Sequence, residues 1–132
     1  MGVTAARLNE VSGIIVDTAF HVHTALGPGL LESVYQKILA HELRKRGLKV
    51  DEEVPIPLYW EGIQMEIGFR ADLVVEDLVL IELKSVEEVP RVFHKKLLTY
   101  LRLADKRLGL LLNFGAAFLR DGIVRVANGM PE

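Results

Sequence analysis

The 132-residue chain contains no cysteine. That excludes disulfides, thiol nucleophiles and Cys-ligated zinc, and it sits comfortably with a reducing cytosol. Long apolar runs are missing too. None approaches the ~18 residues that span a bilayer, and Met1–Glu10 has no apolar signal core. A cytoplasmic protein without membrane contact is therefore expected. Charge of one sign is also scarce: 16 basic against 18 acidic residues leave −2. Any nucleic acid must then be met by a local patch rather than a global field. His21, His23, His41 and His94 lack zinc-ligand spacing. What remains is half hydrophobic and 26% charged, a globular composition that excludes disorder. One domain over residues 1–132 is expected, long enough to bury a real core.

Apolar residues recur at helical spacing from about Leu8 to Leu26 (Val11, Ile14, Ile15, Thr18, Ala19, Val22), with Asn9 placed to cap the start. Gly27-Pro28-Gly29 then breaks the helix. Its free N–H groups could cradle an anion, or it makes a tight corner between helices. A second helix is predicted from Leu30 to Arg46, ended by Gly47. Lys49 to Tyr59, with Pro55 and Pro57, reads as an edge strand, and Glu61-Gly62 as a turn. Ile63–Phe69, Asp72–Val75 and Leu78–Lys84 read as short strands, the last two joined at Glu76-Asp77. A helix from about Pro90 to Asp105 follows. Leu108–Phe114, Ala117–Leu119 and Ile123–Val126 finish as strands, with Asp121-Gly122 as a hairpin turn. This order predicts an α/β (α+β) fold, a mixed sheet with helices packed against it.

Two strings break the apolar pattern. Asp72 precedes Leu73-Val74-Val75, and Glu82 and Lys84 interrupt Leu78–Lys84. Two carboxylates and an ammonium in a sheet core are costly unless they pair or bind a cation. Side chains alternate along a strand, so Glu82 and Lys84 share a face. An Asp72 on the neighbouring strand would share one hard cation with Glu82, Mg²⁺ or Mn²⁺. Such an ion polarises a phosphoryl oxygen and acidifies a water, while Lys84 positions that water or offsets charge. A buried Asp–Lys or Glu–Lys pair with a purely structural role is the competing reading.

Glu32 falls on the same side of its helix as Leu31, Tyr35, Leu39 and Leu43, with no lysine three or four residues on. It either joins the metal site or favours the helix dipole from the first turn. On the later helix Arg91, Lys95, Arg102 and Lys106 form a basic stripe, opposite Val89, Phe93, Leu97, Tyr100, Leu101 and Ala104. The stripe either tracks a phosphate backbone or is a solvated face. Lys96 and Tyr100 border the apolar side. There Lys96 either reaches the site or snorkels. Tyr59 and Trp60, beside a turn, either stack on a base or pack a strand end.

Gly29-x-x-Glu32-x-x-Tyr35, inside Leu26–Tyr35, resembles the namesake motif of the GxxExxY proteins of the PD-(D/E)XK nuclease superfamily. The resemblance extends over Asn9-Glu10, Glu42-Leu43-Arg44, Gly47-Leu48, Arg70–Val75, Glu82-Leu83-Lys84, Tyr100-Leu101 and Gly109–Gly115. It implies a restriction-endonuclease-like core, a central mixed sheet flanked by helices with an extra N-terminal helix, and a Mg²⁺ site. By that resemblance Glu32 is the acid of the first core helix, Asp72 the principal metal ligand, Glu82 the second and Lys84 the catalytic lysine. Tyr100 belongs to the glutamine–tyrosine motif of the following helix. Ala71 stands where the superfamily name has proline, and Lys96 where similar chains carry glutamine.

The expected activity is metal-dependent phosphodiester hydrolysis in nucleic acid, DNA first. Arg91, Lys95, Lys96, Tyr100 and Arg102 are the expected contacts, and a homodimer is a possible assembly, since so small a chain needs help to grip a duplex. Two rivals stand beside it: a weak or inactive accessory module on the same fold, and a structural dimer whose buried charges only fix strand register.

Overall fold

A computed structural model describes residues 2–131; Met1 and Glu132, the ends of the expected domain, lie outside the described residues. Helix α1 spans Ala5–Leu26 and α2 Glu32–Lys45, followed by strands β1 Val50–Trp60, β2 Ile63–Val75 and β3 Val79–Lys84. Helix α3, Val92–Ala104, crosses to β4, Leu108–Asn113, and β5 is Ile123–Ala127. The sheet runs β1-β2-β3-β4-β5, antiparallel except for the parallel β3–β4 pair. It is the expected mixed sheet, and it agrees with a restriction-endonuclease-like core carrying an N-terminal helix.

The central strands are apolar on both faces because both are covered. Leu73, Val75, Ile81, Leu83, Leu110 and Leu112 pack under α1 and α2 with Val11, Ile15, Tyr35, Leu39 and Leu43. Val74, Leu80, Leu111 and Val126 pack under Leu97 and Leu101 of α3. Alternation along each strand thus sorts its side chains between two cores.

Several boundaries differ from the sequence reading. Thr4, not Asn9, caps α1, accepting the Arg7 N–H at 3.1 Å. Helix α2 begins at Glu32, and Leu31, expected on its buried side, is 74% exposed because the loop turns through Gly29 at φ 110°. Ile63–Phe69 and Asp72–Val75 are one strand, since β1 pairs across the presumed gap (Pro55 with Arg70, Ile56 with Phe69). Pro90 and Arg91 form a turn before α3, accepting the Phe93 and His94 N–H groups. Ala117–Leu119 is no strand, and Asp121-Gly122 lies in a 3-10 turn, Leu119–Gly122, closed by Asp121 N–H on the Phe118 carbonyl.

The chain leaving β3 is clamped against the chain leaving β4. The Asn113 side chain accepts the Val86 and Gly115 N–H groups and donates to the Val86 carbonyl at 2.9 Å. A Cβ on Gly115 would stand 2.3 Å from the Val86 carbonyl oxygen. Backbone cannot yield there as a side-chain tip can. Gly115→Ala is therefore expected to destabilise by about 1–3 kcal/mol, a drop of several degrees in Tm, read by thermal melting. An unchanged Tm would contradict this clamp.

Candidate active site

Strands β2 and β3 bring the two charged strings side by side. Their register pairs Leu73 with Ile81. One step further out, the Asp72 N–H meets the Glu82 carboxylate at 3.4 Å, and the Asp72 carboxylate accepts the Leu83 N–H at 2.7 Å. Glu82 and Lys84 continue the Leu80 row, which faces α3. The Lys84 ammonium lies 4.3 Å from the centre of the Phe93 ring, and the Lys96 ammonium 4.7 Å from the same ring. Lys96 therefore shares an aromatic anchor with Lys84. Tyr100 stacks on Phe69 at 4.0 Å between centroids.

Burial dominates the electrostatics. It raises the Asp72 carboxyl above its usual range, opposed by the Leu83 N–H and Lys84, and reinforced by the charges of Glu53 and Glu32. Glu82 is pushed up to about 8, by burial first and by Asp72 next, with Glu32 adding and Lys84 opposing. Tyr100 is raised by burial and then by the charges of Glu82 and Asp72. The phenol thus stands within the field of both acids.

Glu32 opens α2 and is exposed, not set in the apolar arc, which consists of Tyr35, Leu39, Ala40 and Leu43. Among the described residues it has no ion-pair partner. Its charge nonetheless reaches both Asp72 and Glu82. Glu53 is a residue that sequence reasoning missed. The pairs Glu52–Leu73 and Val54–Ala71 bracket it, which puts it across from Asp72, at the left-handed φ of 51°. Nothing in Asp51-Glu52-Glu53 distinguishes it by type. Its neighbour Glu52 turns away to Lys37 and Arg44, at 3.2 and 3.1 Å.

The basic stripe is only partly assembled. Arg91, Lys95 and Arg102 are exposed on the outer side of α3, without ion pairs among the described residues. Arg91, His94 and Lys95 line a 950 Å³ cleft together with Glu87 and Asp121. Lys106 leaves the stripe. It donates to the Asp77 carbonyl at 2.8 Å and pairs with its carboxylate at 3.2 Å.

Among the described residues no three His, Cys, Asp or Glu side chains converge as a ready-made cage. Two adjacent carboxylates nevertheless fit a hard divalent cation, which takes its remaining ligands from water and substrate phosphates. Such a cation would favour the ionised carboxylates and so oppose the burial, and the repulsion from Asp72, that lift Glu82.

A sequence profile described as the PD-(D/E)XK nuclease superfamily matches residues 9–126. That span holds Glu32, Asp72, Glu82 and Lys84. Nucleases of this superfamily generally use divalent metals. No curated protein and no solved structure matches the chain.

The raised carboxyls set the sign of a pH effect. Between the ordinary 4.5 and about 8, native Glu82 holds a proton that the unfolded chain has released. Its contribution to stability is fully present below pH 4.5 and is lost as pH rises to about 8. The metal-free Tm is expected to fall across this window, and Glu82→Gln to flatten the fall. Mn²⁺ needs ionised carboxylates, so it should raise Tm more at pH 8.5 than at pH 6. Scanning calorimetry across pH, with and without Mn²⁺, checks both, and a flat metal-free profile would contradict the assignment.

Proposed function

The chain belongs to the PD-(D/E)XK nuclease superfamily, and from that premise we propose that it hydrolyses phosphodiester bonds in nucleic acid, DNA first, with Mg²⁺ or Mn²⁺. Within the superfamily we place it among the GxxExxY proteins, on Gly29-x-x-Glu32-x-x-Tyr35. The observation that carries the reading is the Asp72–Glu82 pair, two carboxylates held in one register with Glu82 lifted to about 8. One domain holds the whole site.

Asp72 and Glu82 would hold the ion, with Glu32 as an assisting ligand, direct or through water. Bound there, the ion supplies Lewis acidity and a more acidic water. Lys84 orients the attacking water or offsets charge on the phosphoryl oxygens. Lys96 adds a second cation beside it, and Tyr100 donates a hydrogen bond from a phenol that burial, and then its acidic neighbours, keep protonated. Arg91, Lys95 and Arg102 take the phosphate backbone away from the reacting bond.

The test is cleavage of single- and double-stranded DNA and of RNA with Mg²⁺ or Mn²⁺. Asp72→Ala and Lys84→Ala are each expected to lower the rate by about 10²-fold or more. Cleavage that survives both substitutions, or none by the wild type, would sink the enzyme reading. No turnover together with retained Mn²⁺ binding would favour the accessory module, which the net charge of −2 and the lysine at position 96 support.

A second copy would enlarge so small a nucleic-acid surface. Beyond Ile56 and Phe69 the β1–β2 hairpin projects as an uncovered arm. Pairing puts Leu58, Trp60, Ile63 and Met65 on one face, and Trp60 and Ile63 are 64% and 59% exposed. That face carries no charge. Residues 50–69 contain no lysine or arginine, and Glu61 and Glu66 lie at the tip and on the other face. Such an arm repels phosphate but meets a copy of itself without like-charge contact. We infer a homodimer joined through it. Trp60 is the sole tryptophan, so dilution should red-shift its emission as the sedimented mass halves. Ile63→Glu should yield a folded monomer at every concentration. A wild-type monomer at every concentration, or a dimer in Ile63→Glu, would exclude this interface.

A further inference from the structure

The loop between α1 and α2 is held from two directions, and both holds converge on Leu30. The Tyr35 hydroxyl accepts the Leu30 N–H at 3.2 Å and donates to the Gly27 carbonyl. The Leu30 carbonyl accepts the Ser85 hydroxyl. Leu30 therefore has its donor bound by α2 and its acceptor bound by the residue directly after Lys84. The Tyr35 ring is fully buried and stacked on Phe114 at 4.6 Å and 12°, which gives the hydroxyl a fixed base. Leu31, at the N-cap of α2, makes no side-chain cap bond. Tyr35 reaches back from one turn inside the helix and ties down the loop that leads into it.

This hydroxyl is saturated: it donates once and accepts once. It has no capacity left for substrate, so Tyr35 acts through what it holds. The next residue along the loop with a chemical group is Glu32, exposed and unpaired among the described residues; it lines one cleft with Leu30 and Ser85, at the end of β3, and its charge reaches Asp72 and Glu82.

We propose that Tyr35 and Ser85 are positioning residues that lock the 27–31 loop between α2 and the end of β3, so that the Glu32 carboxylate is presented to the Asp72–Glu82 pair. The inference rests on the active-site reading above. It adds that the acid on the helix and the lysine-bearing strand are tied to one residue, Leu30, so that neither moves without the other.

The test is Mn²⁺ binding, measured by calorimetric titration and by the electron paramagnetic resonance of the bound ion, so that no turnover is needed. Tyr35→Phe keeps the stacked ring and removes only the hydroxyl; Ser85→Ala removes the second tie from the surface side. Each is expected to weaken Mn²⁺ binding by about tenfold, the low end for residues that orient a ligand. In a Glu32→Gln background neither should weaken it further. A loss that persists in that background would show general loosening and overturn the proposal, as would unchanged Mn²⁺ affinity in both single variants. Should Tyr35→Phe melt too low to titrate, Ser85→Ala decides alone. Asp72→Ala separates the two layers: if it binds Mn²⁺ like the wild type, the site reading itself falls. If it loses Mn²⁺ while Tyr35→Phe does not, only the positioning role falls.

Discussion

The site depends on the register of β2 against β3. Pairing Leu73 with Ile81 puts Asp72 and Glu82 beside each other where the covered part of the sheet ends. A slip of one residue would turn one strand over relative to the other and send its carboxylate to the opposite face, among Leu39, Leu43 and Phe114, away from its partner. The apolar residues inward of the pair prevent that slip. Val75 and Ile81 belong to one core and Val74 and Leu80 to the other, so the strands have one way to lie that buries all four. The Leu83 N–H on the Asp72 carboxylate then adds a bond that only this register allows. A core of ordinary hydrophobic residues is in this way what holds two like charges together.

Charge is divided along α3 by the same logic. Its inner edge meets the site through Phe93, whose ring takes the ammoniums of both Lys84 and Lys96, and through Tyr100, which stacks on Phe69. Its outer face carries Arg91, Lys95 and Arg102 to solvent. An acidic pole that suits a cation and a basic face that suits phosphate therefore sit on two sides of one helix. Neither requires the whole chain to be basic, which is how a net charge of −2 coexists with a nuclease-type site.

Much of this was legible in the sequence, and the exceptions have physical causes. Strong periodicity gave the helices and central strands, and isolated charges inside apolar strings marked Asp72, Glu82 and Lys84. Helix starts were misjudged because a cap depends on which side chain reaches back. Thr4 reaches the Arg7 N–H and Asn9 does not have to. Arg70-Ala71 looked like a strand break only because its partner, β1, was out of view. Lys106 fitted the stripe by spacing, yet α3 ends at Ala104, and the lysine swings to Asp77 on the β2–β3 turn. Glu53 was invisible for a related reason. A left-handed residue in the strand aims it across at Asp72 while Glu52 points to Arg44, and no pattern of residue types encodes that difference.

The spacing Gly29-x-x-Glu32-x-x-Tyr35 follows from helix geometry. Side chains on a helix tilt toward its N-terminus, so a long residue one turn inside places its tip at the preceding loop. Tyr35 lies three residues beyond Glu32, and its hydroxyl lands on Gly27 and Leu30. The backbone at Gly29, at φ 110°, is strained for a residue with a side chain. The glycine lets the loop turn and the tyrosine ties it down. Both serve the backbone, and both are spent in doing so. Of the three, only the glutamate is left without a partner, and it stands where two buried carboxylates feel its charge. A motif that is mostly scaffold around one free acid is what a site needs when that acid must come from a different element than the strand it serves.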